Sequence, residues 1–132
     1  YGVFDKPLNP SAIAIVAGAS FVARGFAGNP KQLTELIVKA FEHKGFAFVE
    51  AVSPCVTFNN TYSSIKTRAK NIDESHKVTN KIEAIDIALK EDQLFFGVLY
   101  DVHVPTMNEK MSALNEKMKG KTTLVELLTS SS

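Results

Sequence analysis

Two side chains in this sequence stand out by type and position. Cys55 is the only cysteine and lies in the run Ser53-Pro54-Cys55. One cysteine excludes an internal disulfide, and it excludes a zinc or iron–sulfur site built only from thiolates of this chain. A lone cysteine is most often a small buried apolar residue. Arg24 follows an apolar segment directly. There its guanidinium could bind a carboxylate or phosphate with two hydrogen bonds, or pair with an acidic residue of a neighbouring chain.

The three histidines give no comparable signal. None of His43, His76 and His103 lies three or four residues from another histidine or from the cysteine, so the spacing does not favour a metal site. We interpret His43 as a positive charge at the C-terminal end of a helix. A serine nucleophile on a sharp strand-to-helix turn is not present in the sequence.

The composition is that of a globular domain. The 132 residues are 45% hydrophobic and 22% charged, and 15 basic residues balance 14 acidic ones. A net charge of +1 gives no support for nucleic acid or an acidic membrane as partner. No apolar stretch reaches the roughly 18 residues of a membrane-spanning helix, and the N-terminus is not a signal peptide. With a single cysteine, this favours a cytoplasmic protein. Because residue 1 is tyrosine, we expect a processed chain or a fragment.

The first half of the chain predicts a strand–helix–strand unit. Two Asn-Pro pairs suit helix N-termini. Asn9-Pro10 begins a segment that is all apolar from 12 to 17, and Asn29-Pro30 begins a segment, 30–44, with apolar residues at helical spacing. We expect the first of these helices to be buried on all sides. Strands are predicted at 19–23 and 46–52, with 24–28 as a loop, so the strands should pair in parallel with helix 30–44 crossing between them.

This arrangement brings the two candidate residues to one edge of the sheet. Ligands of open α/β sheets bind beyond the carboxyl ends of the strands, and both Arg24 and Ser53–Cys55 follow a predicted strand. The segment 25–30 precedes a helix N-terminus and could bind an anion there, but it lacks a phosphate-binding spacing, and a plain turn is the favoured interpretation.

The second half is less regular. We predict a short helix or turn within 59–69, a loop over 70–79, a helix over 82–89 and a strand over 93–100, where Gly97 indicates a bulge or a close approach. A further helix follows Pro105. Its methionine stripe, with Met107 and Met111 as its first members, is more often core, although it could face a partner chain.

Five motifs occur in an order that resembles a known family. They are Asn9-Pro10, Ala19-Ser-Phe-Val-Ala-Arg24, Pro30-Lys-Gln-Leu33, His43-Lys-Gly-Phe46 and Ser53-Pro-Cys-Val-Thr-Phe-Asn59. This order resembles the β subunit of 2-oxoacid:ferredoxin oxidoreductases, which are thiamine-dependent enzymes. The resemblance continues through Tyr62, Lys66, Arg68, His76, the helix around 84–88 and Phe96-Gly-Val-Leu-Tyr100, so it covers nearly the whole chain.

The resemblance implies an α/β fold with a parallel sheet of the thiamine-diphosphate-binding type, incomplete here. Residues 1–58 would be the C-terminal βαβ part of that domain, and 59–132 an irregular helical extension of the β subunit. The family's cysteine-rich segment and its Gly-Asp-Gly…Asn motif for Mg²⁺ and diphosphate are not in this sequence, so the chain resembles the C-terminal part of such a subunit. No residue for thiamine diphosphate is assigned, and we expect this chain alone to bind no cofactor and to be inactive.

The resemblance assigns one site residue. Cys55 matches the fourth thiolate ligand of a 4Fe–4S cluster, whose other three ligands lie in the missing segment. The intact enzyme would convert a 2-oxoacid to acyl-CoA and CO₂ and reduce ferredoxin. Its implied partners are an α subunit, with γ and δ subunits in some members, together with coenzyme A, the 2-oxoacid and ferredoxin. Arg24 stays a candidate anion or interface contact.

A second interpretation stays open. The chain could be a non-catalytic association module, or a split subunit, that uses the same fold. Three further cysteines and Gly-Asp-Gly encoded upstream of Tyr1 would favour the enzyme, and a start codon near Tyr1 would favour the alternative.

Overall fold

A computed structural model describes residues 7–58, 60–73 and 75–119. The described chain is a mixed α/β fold with one four-stranded sheet, in the strand order β2-β1-β4-β3. In chain order the elements are α1 (Pro10–Val16), β1 (Phe21–Phe26), α2 (Pro30–Glu42), β2 (Ala47–Val52), α3 (Tyr62–Arg68), β3 (Ala69–Asn71), α4 (Lys81–Leu89), β4 (Leu94–Asp101) and α5 (Met107–Met118). The α/β class predicted from the sequence is confirmed.

The predicted strand–helix–strand unit is present. β1 and β2 pair in parallel, from Phe21 opposite Ala47 to Phe26 opposite Val52, with α2 between them along the chain. The predicted bounds of the first strand were wrong, because β1 continues through Arg24 and Gly25 instead of entering a loop. Two local reasons account for this. Arg24 lies opposite an acidic partner on β2, and glycine at position 25 leaves room for α2, since a Cβ there would lie 2.5 Å from Leu33 Cδ1.

Asparagine side chains begin the first two helices as predicted. Asn9 Oδ1 accepts a hydrogen bond from the backbone N–H of Ala12 at 2.9 Å, and Asn29 does the same for Gln32 at 3.4 Å. Each satisfies an N–H that has no partner within the helix. After α1, Gly18 has a φ of +101°, a left-handed conformation that favours glycine.

The second half of the chain completes the same sheet. β4 pairs antiparallel with β1, and β3 pairs parallel with β4, so a short strand lies at the start of the segment predicted to be a loop over 70–79. The β1–β4 register shifts between Val22 and Ala23, next to Gly97, whose φ is +139° and where a Cβ would lie 3.3 Å from Ile72 Cβ. Of the two alternatives predicted for Gly97, the close approach is present at that residue, and the bulge lies two residues further along β4, at Leu99. The domain boundary predicted at residue 58 stays a prediction. β1 lies before that residue and β4 after it, and both strands belong to one sheet.

The core has layers on both faces of the sheet. Ile15 and Val22 pack with α4 residues and Leu99 on one face, while Phe21, Ala23 and Leu36 form the cluster under α2 on the other. α1 is not buried on all sides as its apolar sequence predicted, because Ile13 and Val16 are exposed. The methionine stripe of α5 is not core either: Met107, Met111, Leu114 and Met118 are all exposed.

α5 is stabilised at its start by side-chain capping. Thr106 Oγ1 accepts from the backbone N–H of Glu109 at 3.3 Å, and the Glu109 carboxylate accepts from the backbone N–H of Thr106 at 2.7 Å. The hydrogen bond from the Thr106 backbone lowers the pKa of Glu109 below its usual range. The bond that the carboxylate accepts therefore persists below the usual titration range of a glutamate and weakens as the pH falls through that lowered pKa, while the bond to Thr106 Oγ1 does not depend on this titration.

The layer under α2 predicts a contrast between two faces of that helix. Leu36 is 4% exposed and Val38 is 47% exposed. Leu36→Ala should lower the free energy of unfolding by about 2–5 kcal/mol, because it removes buried methyl groups and leaves a cavity. Val38→Ala should change it by less than about 0.5 kcal/mol. Urea unfolding followed by circular dichroism measures both, and equal losses would show that α2 does not pack as described.

Candidate functional site

The carboxyl ends of β1 and β2 define the candidate site. β2 ends at Val52, and the loop that follows carries Ser53, Pro54 and Cys55. Cys55 is exposed, so it is not the buried apolar residue that a lone cysteine usually is. Its backbone forms an isolated β-bridge, and the turn after it exposes Val56 and Phe58. The structure therefore presents a thiol at the surface where β2 ends, within a largely apolar loop.

Arg24 lies inside the sheet and not at its edge. Its side chain is 3% exposed, and its Nε donates to Glu50 Oε2 at 2.9 Å. The Glu50 carboxylate also accepts a hydrogen bond from the hydroxyl of Ser11, a fully buried residue of α1. The prediction that Arg24 follows the strand was wrong, and the acidic partner that the sequence left open is a residue of this chain.

The terminal nitrogens of Arg24 are only partly satisfied. Nη2 lies 3.5 Å from Asn9 Oδ1 and 3.4 Å from the Ala88 carbonyl oxygen, which are long hydrogen bonds. Nη1 is buried and has no hydrogen-bond partner among the described residues. Leaving a buried donor unpaired costs about 1–3 kcal/mol. Within the described part of the chain, the network around Arg24 is therefore short of at least one acceptor.

Arg24 lines a cavity of about 490 Å³. Asn9 and Ala88, the partners of Nη2, line it as well, and Arg68 and Lys90 contribute two more cationic side chains. The cavity lies where β1 approaches its end and β4 begins, because β4 runs antiparallel to β1. The edge that the sequence predicted for ligands thus holds an exposed thiol and a basic cavity.

The structure also joins three residues that the sequence does not group. Ser20 Oγ lies 2.8 Å from His43 Nε2, and His43 Nδ1 lies 3.3 Å from Asp101 Oδ1. The order is that of a serine hydrolase triad. Ser20 is buried, however, and its hydroxyl also lies 3.3 Å from the Phe46 carbonyl oxygen. We interpret the chain of contacts as a link that fixes the end of α2 to β1 and β4, and not as a nucleophile.

The other two histidines lie apart from this link. His76 lies 3.2 Å from Glu83 through Nδ1 and 2.8 Å from the Leu99 carbonyl oxygen through Nε2, so it joins α4 to β4. His103 is exposed. Within the ranges that the structure describes, no three His, Cys, Asp or Glu side chains are grouped to hold a metal ion. In the same ranges no helix has the length and apolar character that crossing a membrane requires.

Residues 55–116 match a family model that describes the C-terminal part of the pyruvate ferredoxin oxidoreductase beta subunit. A 2-oxoacid:ferredoxin oxidoreductase subunit beta from Sulfolobus sp is 36% identical over 83% of this chain and 41% of its own length. A solved structure of 2-oxoglutarate:ferredoxin oxidoreductase from Magnetococcus marinus superposes with a TM-score of 0.82 at 34% identity, over 91% of this chain and 42% of that one.

The chain belongs to the 2-oxoacid:ferredoxin oxidoreductase β-subunit family. The resemblance seen in the sequence motifs is confirmed, and the matched part is the C-terminal one. The 2-oxoglutarate synthase subunit KorB of Methanothermobacter marburgensis is 31% identical over 96% of this chain and 45% of its own length. The chain therefore spans less than half the length of these β-subunit relatives.

The residues that the sequence interpretation missed are the partners of Arg24. A signal for Glu50 was present, because Arg24 and Glu50 are each a lone charge inside an apolar strand, Phe21–Phe26 and Ala47–Val52. Two such charges on neighbouring strands are expected to pair. Ser11 and Ala88 had no equivalent signal, since only the packing of α1 and α4 on the sheet brings them to the guanidinium and its partner.

The buried pair predicts a large effect from a small change. Glu50→Gln should lower the free energy of unfolding by about 2–4 kcal/mol, because it leaves the Arg24 charge buried without a counter-charge. The matched control is Asp86→Asn, which alters the exposed ion pair of Asp86 with Lys90 at 3.8 Å and should cost about 0.5 kcal/mol or less. Urea unfolding of both variants is the measurement. A loss for Glu50→Gln no greater than that of the control would contradict the buried pair.

Proposed function

We propose that this chain is the C-terminal part of the β subunit of an enzyme complex that oxidatively decarboxylates a 2-oxoacid to acyl-CoA and CO₂ and reduces ferredoxin. The observation that carries the proposal is the match of sequence and structure to this family over nearly the whole chain. Its relatives include 2-oxoacid and 2-oxoglutarate enzymes, so we propose the substrate class as a 2-oxoacid.

The cofactors of this proposal are thiamine diphosphate with Mg²⁺ and a 4Fe–4S cluster. When bound, they would supply an electron sink for the decarboxylation and a carrier of single electrons. No residue of this chain is assigned to thiamine diphosphate. For the cluster, the fit rests on Cys55, an exposed residue three positions after the end of β2 whose side chain is of the type that ligates iron.

Cys55 can supply one ligand of four. No group of three His, Cys, Asp or Glu side chains lies together in the described ranges, so a cluster here would take its other ligands from elsewhere in the assembly. The role of the described residues is then to place one thiolate. The paired strands β1 and β2 hold the start of the loop, and Arg24 with Glu50 fixes their register two residues before β2 ends.

Exposed apolar surface supports the proposal of subunit partners. Ile13 and Val16 of α1 and Leu89 of α4 form, with their neighbours, an apolar groove open to the surface. The methionine stripe of α5 is a second such surface. Exposed apolar surface of this kind often marks contacts with other chains or domains. We propose an α subunit, with γ and δ subunits in some complexes, as the chains that cover them, and coenzyme A and ferredoxin as further partners.

Cys55→Ser in the intact enzyme tests the assignment of the thiol. A hydroxyl is a poor replacement for a thiolate on iron, so iron and sulfide content and the low-temperature electron spin resonance signal of one cluster should fall. Ferredoxin reduction should fall with them, while thiamine diphosphate content should stay near that of the unmodified enzyme. The matched control is Ser53→Ala, two residues earlier in the loop, which should leave each of these measured quantities unchanged.

The same experiment has an outcome that rejects the assignment. A complete cluster with unchanged ferredoxin reduction in Cys55→Ser would show that the thiol is not a ligand.

Sequencing the gene upstream of Tyr1 separates the enzyme from the alternative of a non-catalytic module. Three further cysteines and Gly-Asp-Gly in frame support the enzyme.

A further inference from the structure

The function proposed above does not use the basic cavity beside Arg24. It has a volume of about 490 Å³ and lies between α1, the end of α4 and the start of β4. Three of its lining side chains are cationic, those of Arg24, Arg68 and Lys90, and one is acidic, that of Glu91. Its walls therefore carry an excess of positive charge in a chain whose net charge is only +1.

The two cations at the opening keep most of their attraction for an anion. Arg68 donates to the backbone carbonyl oxygens of Ser64 at 3.4 Å and Glu91 at 3.2 Å, which orient its guanidinium without cancelling its charge. Lys90 Nζ lies 3.8 Å from an Asp86 carboxylate that is largely exposed. Water screens that pair strongly, so the ammonium group stays available to a second anion.

The inner wall of the cavity is a guanidinium that lacks an acceptor. Arg24 is 2% exposed, and its Nη1 has no hydrogen-bond partner among the described residues. Its Nη2 has only long contacts, to Asn9 and to the Ala88 carbonyl oxygen, and both of those residues line the cavity. Glu50 occupies the other side of the guanidinium through Nε.

We propose that this cavity binds a small oxyanion, a phosphate or a carboxylate group. Planar guanidinium groups bind such oxygens with paired, charge-assisted hydrogen bonds, and a lysine adds a further donor. Arg68 and Lys90 contact the anion at the opening, and Arg24 attracts it from within. The position agrees with the general location of ligands near the carboxyl ends of strands in α/β sheets. The oxyanion proposal does not depend on Cys55 or on the cluster. The cluster assignment can therefore be wrong while the oxyanion site is right, and the reverse also holds.

Chemical modification of Lys90 in the full-length chain tests the proposal. The side chain of Lys90 is 43% exposed, so an N-hydroxysuccinimide ester of acetic acid should acetylate it, and peptide mass spectrometry gives the rate at each lysine. Inorganic phosphate and acetate are compared with chloride at equal ionic strength. We expect at least one oxyanion to slow acetylation of Lys90 about threefold or more in a saturable manner. Lys117, an exposed residue of α5, is the internal control and should not respond.

Two variants of Arg68 make the test specific. Arg68→Gln should abolish the protection of Lys90, and Arg68→Lys should keep part of it, with circular dichroism confirming that both variants stay folded. Protection by phosphate alone identifies a phosphate site, protection by acetate alone identifies a carboxylate site, and protection by both supports the shared chemistry. The proposal is overturned if neither oxyanion protects Lys90, if protection persists in Arg68→Gln, or if Lys90 is already unreactive in chloride.

Discussion

A charged pair inside the sheet constrains the rest of this structure. Arg24 and Glu50 lie opposite each other on parallel strands, and a one-residue slip would turn one of them toward the apolar layer under α2. The pair also reaches beyond the sheet, because Ser11 donates to Glu50 and Asn9 lies beside Arg24. Strand register and the position of α1 therefore depend on the same two charges. Such a pair adds little net stability, but each partner requires the other.

The same end of the sheet carries two features with different physical character. The thiol of Cys55 is exposed on a loop, held by the end of β2 and an isolated bridge. The cavity beside Arg24 is built from helix ends and a buried guanidinium. The exposed loop of Cys55 suits a side chain that other parts of an assembly must contact. The cavity beside Arg24 suits a small ion. The two features share no residues, because Cys55 is not among the residues that line the cavity.

The described surface of the chain carries apolar side chains that the packing of this fold does not cover. Apolar side chains are exposed along α1 and α4 and along α5, although the layers against the sheet are well buried. The chain spans less than half the length of its β-subunit relatives. Helical periodicity alone reports that one side of a helix is apolar. It does not report whether a sheet of the same chain or another chain covers that side.

The sequence by itself determined the local elements, because the signals for them are local. Asparagine caps and apolar spacing predicted the helices α1, α2 and α4 and the parallel pairing of β1 with β2. A glycine inside a strand predicted the irregularity near Gly97. The order of the motifs identified the family. The tertiary structure decided where charged side chains lie. Arg24 is buried because Glu50 and Ala88, distant along the chain, supply its partners, and Ser11 holds Glu50 in place. Cys55 is exposed because the described helices and strands leave its loop uncovered. Burial and charge compensation depend on contacts between distant residues, and a pattern read along one chain does not contain them.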